Sequence, residues 1–187
     1  MSTEEILTRF NVLTRSSEVT LAGMLVLGAY PQQFFPQPLI DFTVHPGVRK
    51  SMDTEERFSD RTHCDGRIPD AVEPAVKAAM ASLKVRHVEQ GAVTVAQPKI
   101  SEMVIREAIT NAVAHRNYSF RRQGTQVAMD VYSDRIEISN PGELWGDRTL
   151  DNIDDGRSVS RDKILSKILS ITPSSSGGGA VGENQGV

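Results

Sequence analysis

The strongest helical pattern in the chain lies in residues 105–118. Five apolar residues recur there at the helical period and form a stripe about 100° wide, the width of a core-facing surface. They are Ile105, Ala108, Ile109, Ala112 and Val113. Ser101 predicts the start of this helix because serine is a good N-cap residue, and residues 116–118 form its predicted last turn and exit.

Three polar residues follow one edge of this stripe. Glu107, Asn111 and His115 recur every four residues, so a carboxylate, a carboxamide and an imidazole share the border between core and solvent. On spacing alone, a solvated helix edge explains the row, with Asn111 capping a neighbouring loop and His115 satisfied at the border. The elements that come after the helix favour a functional site instead.

The chain before this helix is predicted to be mainly helical, with one strand and one long loop. Gly28 and Pro31 end an apolar segment that we interpret as a buried helix. The patterns predict helices within residues 3–13, 20–30 and 68–85, a strand at 39–44, a charged surface loop at 45–67 and a short strand at 93–96.

A β-hairpin is predicted after the central helix, because apolar and polar residues alternate on both sides of a two-residue turn at Ser133-Asp134. Its inward-facing residues are Val127, Met129, Val131, Ile136 and Ile138. The hairpin ends in a turn, Asn140-Pro141-Gly142, where glycine lets the backbone approach a ligand closely. A loop at 147–160, a helix at 161–171 and a Ser/Gly-rich tail at 173–187 complete the chain.

Composition narrows the class of protein. The chain has 187 residues, 39% hydrophobic and 24% charged, with a net charge of −3, so nothing in its overall charge attracts nucleic acid or anionic membranes. A local basic patch of Arg116, Arg121 and Arg122 stays open. Cys64 is the only cysteine, no signal peptide is recognisable, and the longest apolar run is too short to span a bilayer. We therefore expect a soluble cytoplasmic protein without a membrane partner.

The helix edge and the Asn-Pro-Gly turn form a candidate site if they lie side by side. Asn111 can hold a divalent cation through its carbonyl oxygen, and Glu107 can orient or deprotonate a water molecule. Mg²⁺ keeps several waters, so one asparagine together with ligand phosphates suffices as a site. Asn140 can hydrogen-bond to a purine edge, and Gly142 leaves room for it.

These residues resemble a known family. The segments REAITNAVAHRNY, G-x-x-V-x-M-x-V-Y and DRIEISNPGEL are similar to the ATP-binding domain of bacterial transcriptional regulators of the Schlafen AlbA class, often labelled RecG-like helicases. The upstream segments VTLAGMLVLGAYPQQFFP and GRIPDAVEPAV also resemble this family, so the similarity extends over nearly the whole chain.

The resemblance implies a Bergerat fold of the histidine-kinase, gyrase and Hsp90 (GHKL) type. This is an α+β two-layer sandwich with helices on one face of a mixed, mostly antiparallel sheet. Residues 1–36 would form a helical connecting segment and residues 37–187 the ATP-binding domain. Glu107 and Asn111 match the E-x-x-x-N box, with Asn111 toward Mg²⁺ and Glu107 toward the attacking water. His115 is a candidate nucleotide-binding residue whose role stays open.

Two departures from the family pattern concern adenine and the lid. Asn140 stands where the family has the aspartate that accepts from the adenine amino group, in a box that includes Gly142. Gly182 and Gly186 resemble the opening of the glycine-rich lid over the phosphates. We expect the sequence to be a fragment that lacks the rest of this lid and the AlbA-type domain.

Two functions from different classes are open at this point. One is an ATP- and Mg²⁺-binding regulatory module of a DNA-binding transcriptional regulator, at most a weak ATPase, with DNA contacted by a domain outside this chain. The other is a non-catalytic dimerisation or interaction scaffold that has lost nucleotide, so a homodimer is a further expectation. No G-x-x-x-x-G-K-[ST] motif is present, so a helicase motor is not supported.

Overall fold

A four-stranded sheet lies at the centre of the fold. The computed structural model describes residues 1–37, 39–51, 57–83, 85–90, 93–152, 155, 159–173 and 181, with the backbone alone for 85–90 and 93–98. The helices are α1 (Thr3–Arg9), α2 (Leu21–Leu27), α3 (Ile68–Ser82), α4 (Glu102–Ala114) and α5 (Lys163–Leu169). The strands are β1 (Ile40–Val44), β2 (Asp60–Cys64), β3 (Val85–Gln90), β4 (Val93–Pro98), β5 (Val127–Val131) and β6 (Ile136–Ser139).

The strand order in the central sheet is β2-β1-β5-β6. Strands β1 and β5 are parallel, whereas β1 pairs with β2 and β5 with β6 in antiparallel fashion. Strands β3 and β4 form a separate antiparallel pair. The expected mixed, mostly antiparallel sheet in an α+β two-layer arrangement is confirmed.

Alternation along β1 and β5 creates the core. Phe42 pairs with Met129 and Ile40 with Val127, so these apolar side chains share one face of the sheet, and all four are fully buried. Helix α3 packs on β1 and β2, α4 packs on β5, β6 and α3, and α2 packs on α5. Buried residues of α2, such as Leu25, belong to the same core cluster as the sheet. The division into a segment 1–36 and a domain 37–187 stays a prediction.

The prediction of the central helix is confirmed for its start and body, but the last turn predicted at 116–118 lies beyond its end. The Ser101 hydroxyl accepts a hydrogen bond from the Val104 amide, and α4 ends at Ala114, with His115 as its C-cap. The helices predicted near the N-terminus, at 68–85 and at 161–171 are present as α1, α2, α3 and α5, and the hairpin is present as β5 and β6.

Two predictions upstream of α4 are wrong. The loop predicted at 45–67 contains strand β2, which pairs with β1 along its whole length. The helix predicted to reach residue 85 ends at Ser82, and the chain then forms β3. Strand β2 escaped detection because it is an edge strand whose side chains, except that of Cys64, are not buried, so it carries no apolar alternation.

The outer face of the sheet buries two carboxylates. Asp41 accepts hydrogen bonds from Arg61 Nε at 3.0 Å and Nη2 at 2.7 Å, and Asp130 accepts from Lys50 Nζ at 2.9 Å and contacts His45 Nε2 at 2.7 Å. Burial on its own raises the pKa of each carboxyl, but the hydrogen bonds from these partners outweigh it, so the pKa of both Asp41 and Asp130 is lowered. These ion pairs on the outer face of the sheet therefore contribute to the stability of the fold.

In the described part of the chain, no helix combines the length and the apolar composition that crossing a membrane requires.

Candidate functional site

Helix α4 carries the predicted row of polar residues on its solvent-facing edge. Its buried side, formed by Ile105, Ile109 and Val113, fixes the rotation of the helix against the core. Glu107 is then half-buried and Asn111 exposed. Neither of these two side chains hydrogen-bonds to another described residue. They are therefore free to receive a ligand or solvent.

The Asn-Pro-Gly turn lies at the end of α4. The Asn117 amide donates a hydrogen bond of 2.8 Å to the Pro141 carbonyl, which joins the chain leaving α4 to the turn that follows β6. Pro141 is buried beneath this contact, whereas Asn140 and Gly142 are exposed. The structure thus brings the His115 end of the row to the turn, with Asn111 one helical turn farther along the helix and Glu107 two turns away.

Gly142 adopts a conformation that other residues avoid. Its φ of +145° lies in the region favourable to glycine, and a Cβ at this position would lie 3.2 Å from Arg161 Nη2 and 3.5 Å from Asn117 Cβ. The absent side chain lets the Arg161 guanidinium approach the turn closely. Glycine is therefore required here by both backbone conformation and space.

We expect Gly142→Ala to lower the free energy of unfolding by about 1–3 kcal/mol, because alanine strains the backbone and crowds the Arg161 guanidinium. Urea denaturation of both proteins measures the difference. Gly124→Ala is the matched control, since a Cβ there meets nothing within 4 Å, and we expect it to change stability by less than about 0.5 kcal/mol. Equal stability of the two variants would contradict the role assigned to Gly142.

A cleft of about 650 Å³ opens beside this turn. Arg161 is held at its wall by a hydrogen bond of 2.5 Å from Nη2 to the Glu143 carbonyl, and its guanidinium lies 4.8 Å from the centre of the Trp145 ring. The lining residues that bear on chemistry are Arg116, Asn117, Glu143, Trp145, Arg161 and Lys163. The cleft combines cationic groups with an aromatic surface.

Arg116 contributes a buried charge to this region. Its side chain is 2% exposed, Nη2 donates to the Thr125 carbonyl at 2.6 Å, and the guanidinium lies 4.8 Å from the centre of the Tyr118 ring. Burial lowers the pKa of Arg116, partly offset by Tyr118, yet a guanidinium stays protonated at neutral pH. The expected basic patch is therefore divided, because Arg121 and Arg122 are exposed on a short turn whereas Arg116 belongs to the cleft.

His115 is half-buried and lies within the electrostatic influence of Arg161. Burial lowers the pKa of His115, and the positive charge of Arg161 lowers it further. The imidazole is thus neutral at neutral pH and has both a donor and an acceptor nitrogen. Such a ring can hydrogen-bond to a neutral ligand group.

The sequence pattern did not identify Arg161 or Trp145 as site residues. Arg161 is the first residue of the predicted helix, and Trp145 lies between the predicted turn and the predicted loop at 147–160. Only the tertiary fold places Arg161 against both Gly142 and Trp145. Gly182 and Gly186, predicted for the phosphate lid, lie outside the described residues.

Cys64, the last residue of β2, is flanked by His63 and Asp65. The Cys64 side chain is buried, and burial, reinforced by Asp65 and Asp41, raises the pKa of its thiol to about 11. Within the described ranges, no three histidine, cysteine or acidic side chains group in a way that could hold a metal ion.

In comparisons with known proteins, the region after α4 is similar to an ATPase-like family. Residues 124–186, about a third of the chain, match a family described as "Putative ATP-dependent DNA helicase recG C-terminal". No curated protein matches the chain.

A solved structure matches more of the fold. The DIP2311 protein from Corynebacterium diphtheriae is 18% identical, with a TM-score of 0.69, and the match covers 90% of this chain and 32% of that chain. The chain thus spans about a third of that protein's length. At this identity the likeness establishes the α+β fold, and the family match shows that residues 124–186 are similar to an ATPase-like family.

Proposed function

We propose that the chain is a nucleotide-binding regulatory module that takes ATP with Mg²⁺ and hydrolyses it slowly or not at all. The observation that carries this proposal is the hydrogen bond from Asn117 to Pro141, which joins the helix bearing Glu107 and Asn111 to the turn bearing Asn140 and Gly142. This contact supports a single site made of both motifs. The ATPase-like match, which includes the turn, points to the same ligand class.

The residues on α4 suit a Mg²⁺–phosphate ligand. Asn111 is exposed and its carboxamide has no hydrogen bond to a described residue, so its carbonyl oxygen is available to a cation that prefers oxygen ligands and keeps several waters. Bound Mg²⁺ would neutralise charge on the nucleotide phosphates. Glu107, four residues earlier on the same edge, is placed to orient or deprotonate a water molecule.

The Asn-Pro-Gly turn is suited to bind a purine, although Asn140 lacks the negative charge that an aspartate would have. The Asn140 carboxamide is exposed and can both accept from and donate to a base edge. A hydrogen bond to a neutral amide is roughly half as strong as one to a carboxylate, so we expect weaker selection of adenine over guanine. His115, with a neutral ring at the end of α4, is a further candidate for a hydrogen bond to the nucleotide.

The wider assignment follows the family resemblance. We propose a Bergerat-type domain within a Schlafen AlbA-type, DNA-binding regulator of the cytoplasm, in which another part of a longer protein contacts DNA. Dimerisation through this domain is part of the same proposal.

Titration calorimetry and thermal unfolding with ATP test the function, with and without Mg²⁺ and with GTP as a comparison. At ten times the dissociation constant, we expect ATP with Mg²⁺ to stabilise the fold by about 1.4 kcal/mol and to raise the unfolding midpoint by about 3–6 °C. Omission of Mg²⁺ should reduce this shift. No heat and no shift at millimolar ATP would overturn the proposal and favour a scaffold that does not bind nucleotide.

A further inference from the structure

The cleft beside Gly142 is lined by more cationic than acidic side chains. Arg116, Arg161 and Lys163 line it, and within the described residues none of the three forms an ion pair. Of the two carboxylates in the lining, Asp162 caps α5 by accepting from the Ile164 and Leu165 amides at 2.9 Å. The second carboxylate is that of Glu143, so three cations face two carboxylates and the lining keeps a net positive charge.

The two arginines also have hydrogen-bond donors without partners. Nε and Nη1 of Arg116 and Nε of Arg161 are enclosed, and in the described structure no acceptor reaches them. A buried donor without a partner and a buried cation without a counter-charge both reduce stability. Such an arrangement is typical of a site whose counter-charge arrives with a ligand.

We propose that this cleft binds a phosphate-type oxyanion, with Arg161 as the residue that contacts it and Arg116 as a buried positive charge that strengthens the attraction. Arg161 suits the contact because its guanidinium is held in place by the Glu143 carbonyl and the Trp145 ring while Nε lacks a partner. A planar guanidinium fixed in this way is well matched to a phosphate.

This oxyanion site goes beyond the Mg²⁺–ATP assignment and does not depend on it. The cleft lies at the exit of α4, where its lining begins five residues beyond Asn111, rather than along the Glu107–Asn111 edge. Its volume of about 650 Å³ exceeds the needs of one phosphate ion and falls in the range of small-molecule pockets. The oxyanion can thus be free phosphate or a phosphate group of a nucleotide.

Trp145 supplies a direct probe of the cleft, because it is the only tryptophan in the chain and lies against Arg161. We expect inorganic phosphate, without nucleotide or Mg²⁺, to change the Trp145 emission in a saturable way that chloride at matched ionic strength does not reproduce. In Arg161→Gln, phosphate affinity should fall at least tenfold. Arg161→Lys should recover part of it, and Arg121→Gln, an exposed arginine outside the cleft, should match the wild type.

The outcomes separate the oxyanion site from the proposed function. A wild-type response to phosphate no larger than that to chloride, or an unchanged affinity in Arg161→Gln, would overturn the oxyanion site whether or not ATP binds. Thermal unfolding without ligand shows whether each variant folds. If Arg161→Gln does not fold, Arg161→Lys becomes the test and should bind phosphate more weakly than the wild type. Equal phosphate binding by Arg161→Lys and the wild type would then overturn the role of Arg161. Competition between phosphate and ATP indicates that the oxyanion is a nucleotide phosphate, and independent binding indicates free phosphate.

Discussion

Asp130→Ala is expected to lower the free energy of unfolding by about 3 kcal/mol. The Asp130 side chain is 12% exposed on the outer face of the sheet, where it bonds His45 and Lys50. Its removal leaves the buried His45 ring with neither nitrogen bonded to a described residue, since Nδ1 already has no partner. Lys50 is 64% exposed and returns to water, so we expect a value at the lower end of the range for broken buried pairs.

The same variant should lose part of its acid sensitivity. The pKa of Asp130 in the folded protein lies below that of an unfolded aspartate, so its contribution to stability is fully present above about pH 4 and is lost as the pH falls toward the folded value. Asp41 has the same sign of shift. The wild type should therefore lose stability steeply below about pH 4, and Asp130→Ala less steeply.

Urea denaturation at pH 7 and at pH 3.5 measures both effects. Asp134→Ala is the matched control, because this carboxylate pairs with Arg135 at the exposed hairpin turn, and we expect a change below about 1 kcal/mol. If Asp130→Ala were as stable as Asp134→Ala at pH 7, the buried pair would not stabilise the fold.

The elements predicted correctly from the sequence are those in which buried apolar side chains repeat at a regular spacing. Helix α4 and the β5–β6 hairpin were found because apolar residues repeat at periods that suit each element. The short strand predicted at 93–96 is present as β4, but β2 and β3 were missed. Strand β2 is held by pairing with β1 and by the Arg61–Asp41 contact, not by an apolar face. The burial of Asp130 also escaped, because its partner His45 lies 85 residues away in the chain.

The candidate site was predicted in part for the same reason. Helical spacing is local, so it placed Glu107, Asn111 and His115 on one edge, and the order of elements suggested that Asn140 and Gly142 come near. Arg161 and Trp145 lie 19 and 3 residues beyond Gly142, a separation that no periodicity constrains. Their contact through a guanidinium over an indole ring is a product of the tertiary fold, and it changes the site from a polar edge into a cationic cleft.

The two residues on α4 should separate nucleotide binding from turnover. Asn111→Ala is expected to weaken binding of ATP in the presence of Mg²⁺ at least tenfold, about 1.4 kcal/mol, to the affinity seen without Mg²⁺, because the carbonyl ligand is lost. Glu107→Ala should bind ATP within about twofold of the wild type. Any hydrolysis should fall at least ~100-fold in this variant, because a positioned general base contributes a factor of this order.

Calorimetry with and without Mg²⁺ measures the affinities, and phosphate release under saturating ATP measures turnover. Glu102→Ala is the control for α4, since Glu102 is an exposed carboxylate on the same helix that pairs with Arg106. It should leave both affinity and turnover unchanged, because its side chain belongs to the first turn and not to the row of Glu107 and Asn111. An equal loss of binding in Asn111→Ala and Glu107→Ala would mean that the two residues act together in binding, and the separate roles of metal ligand and base would then be wrong.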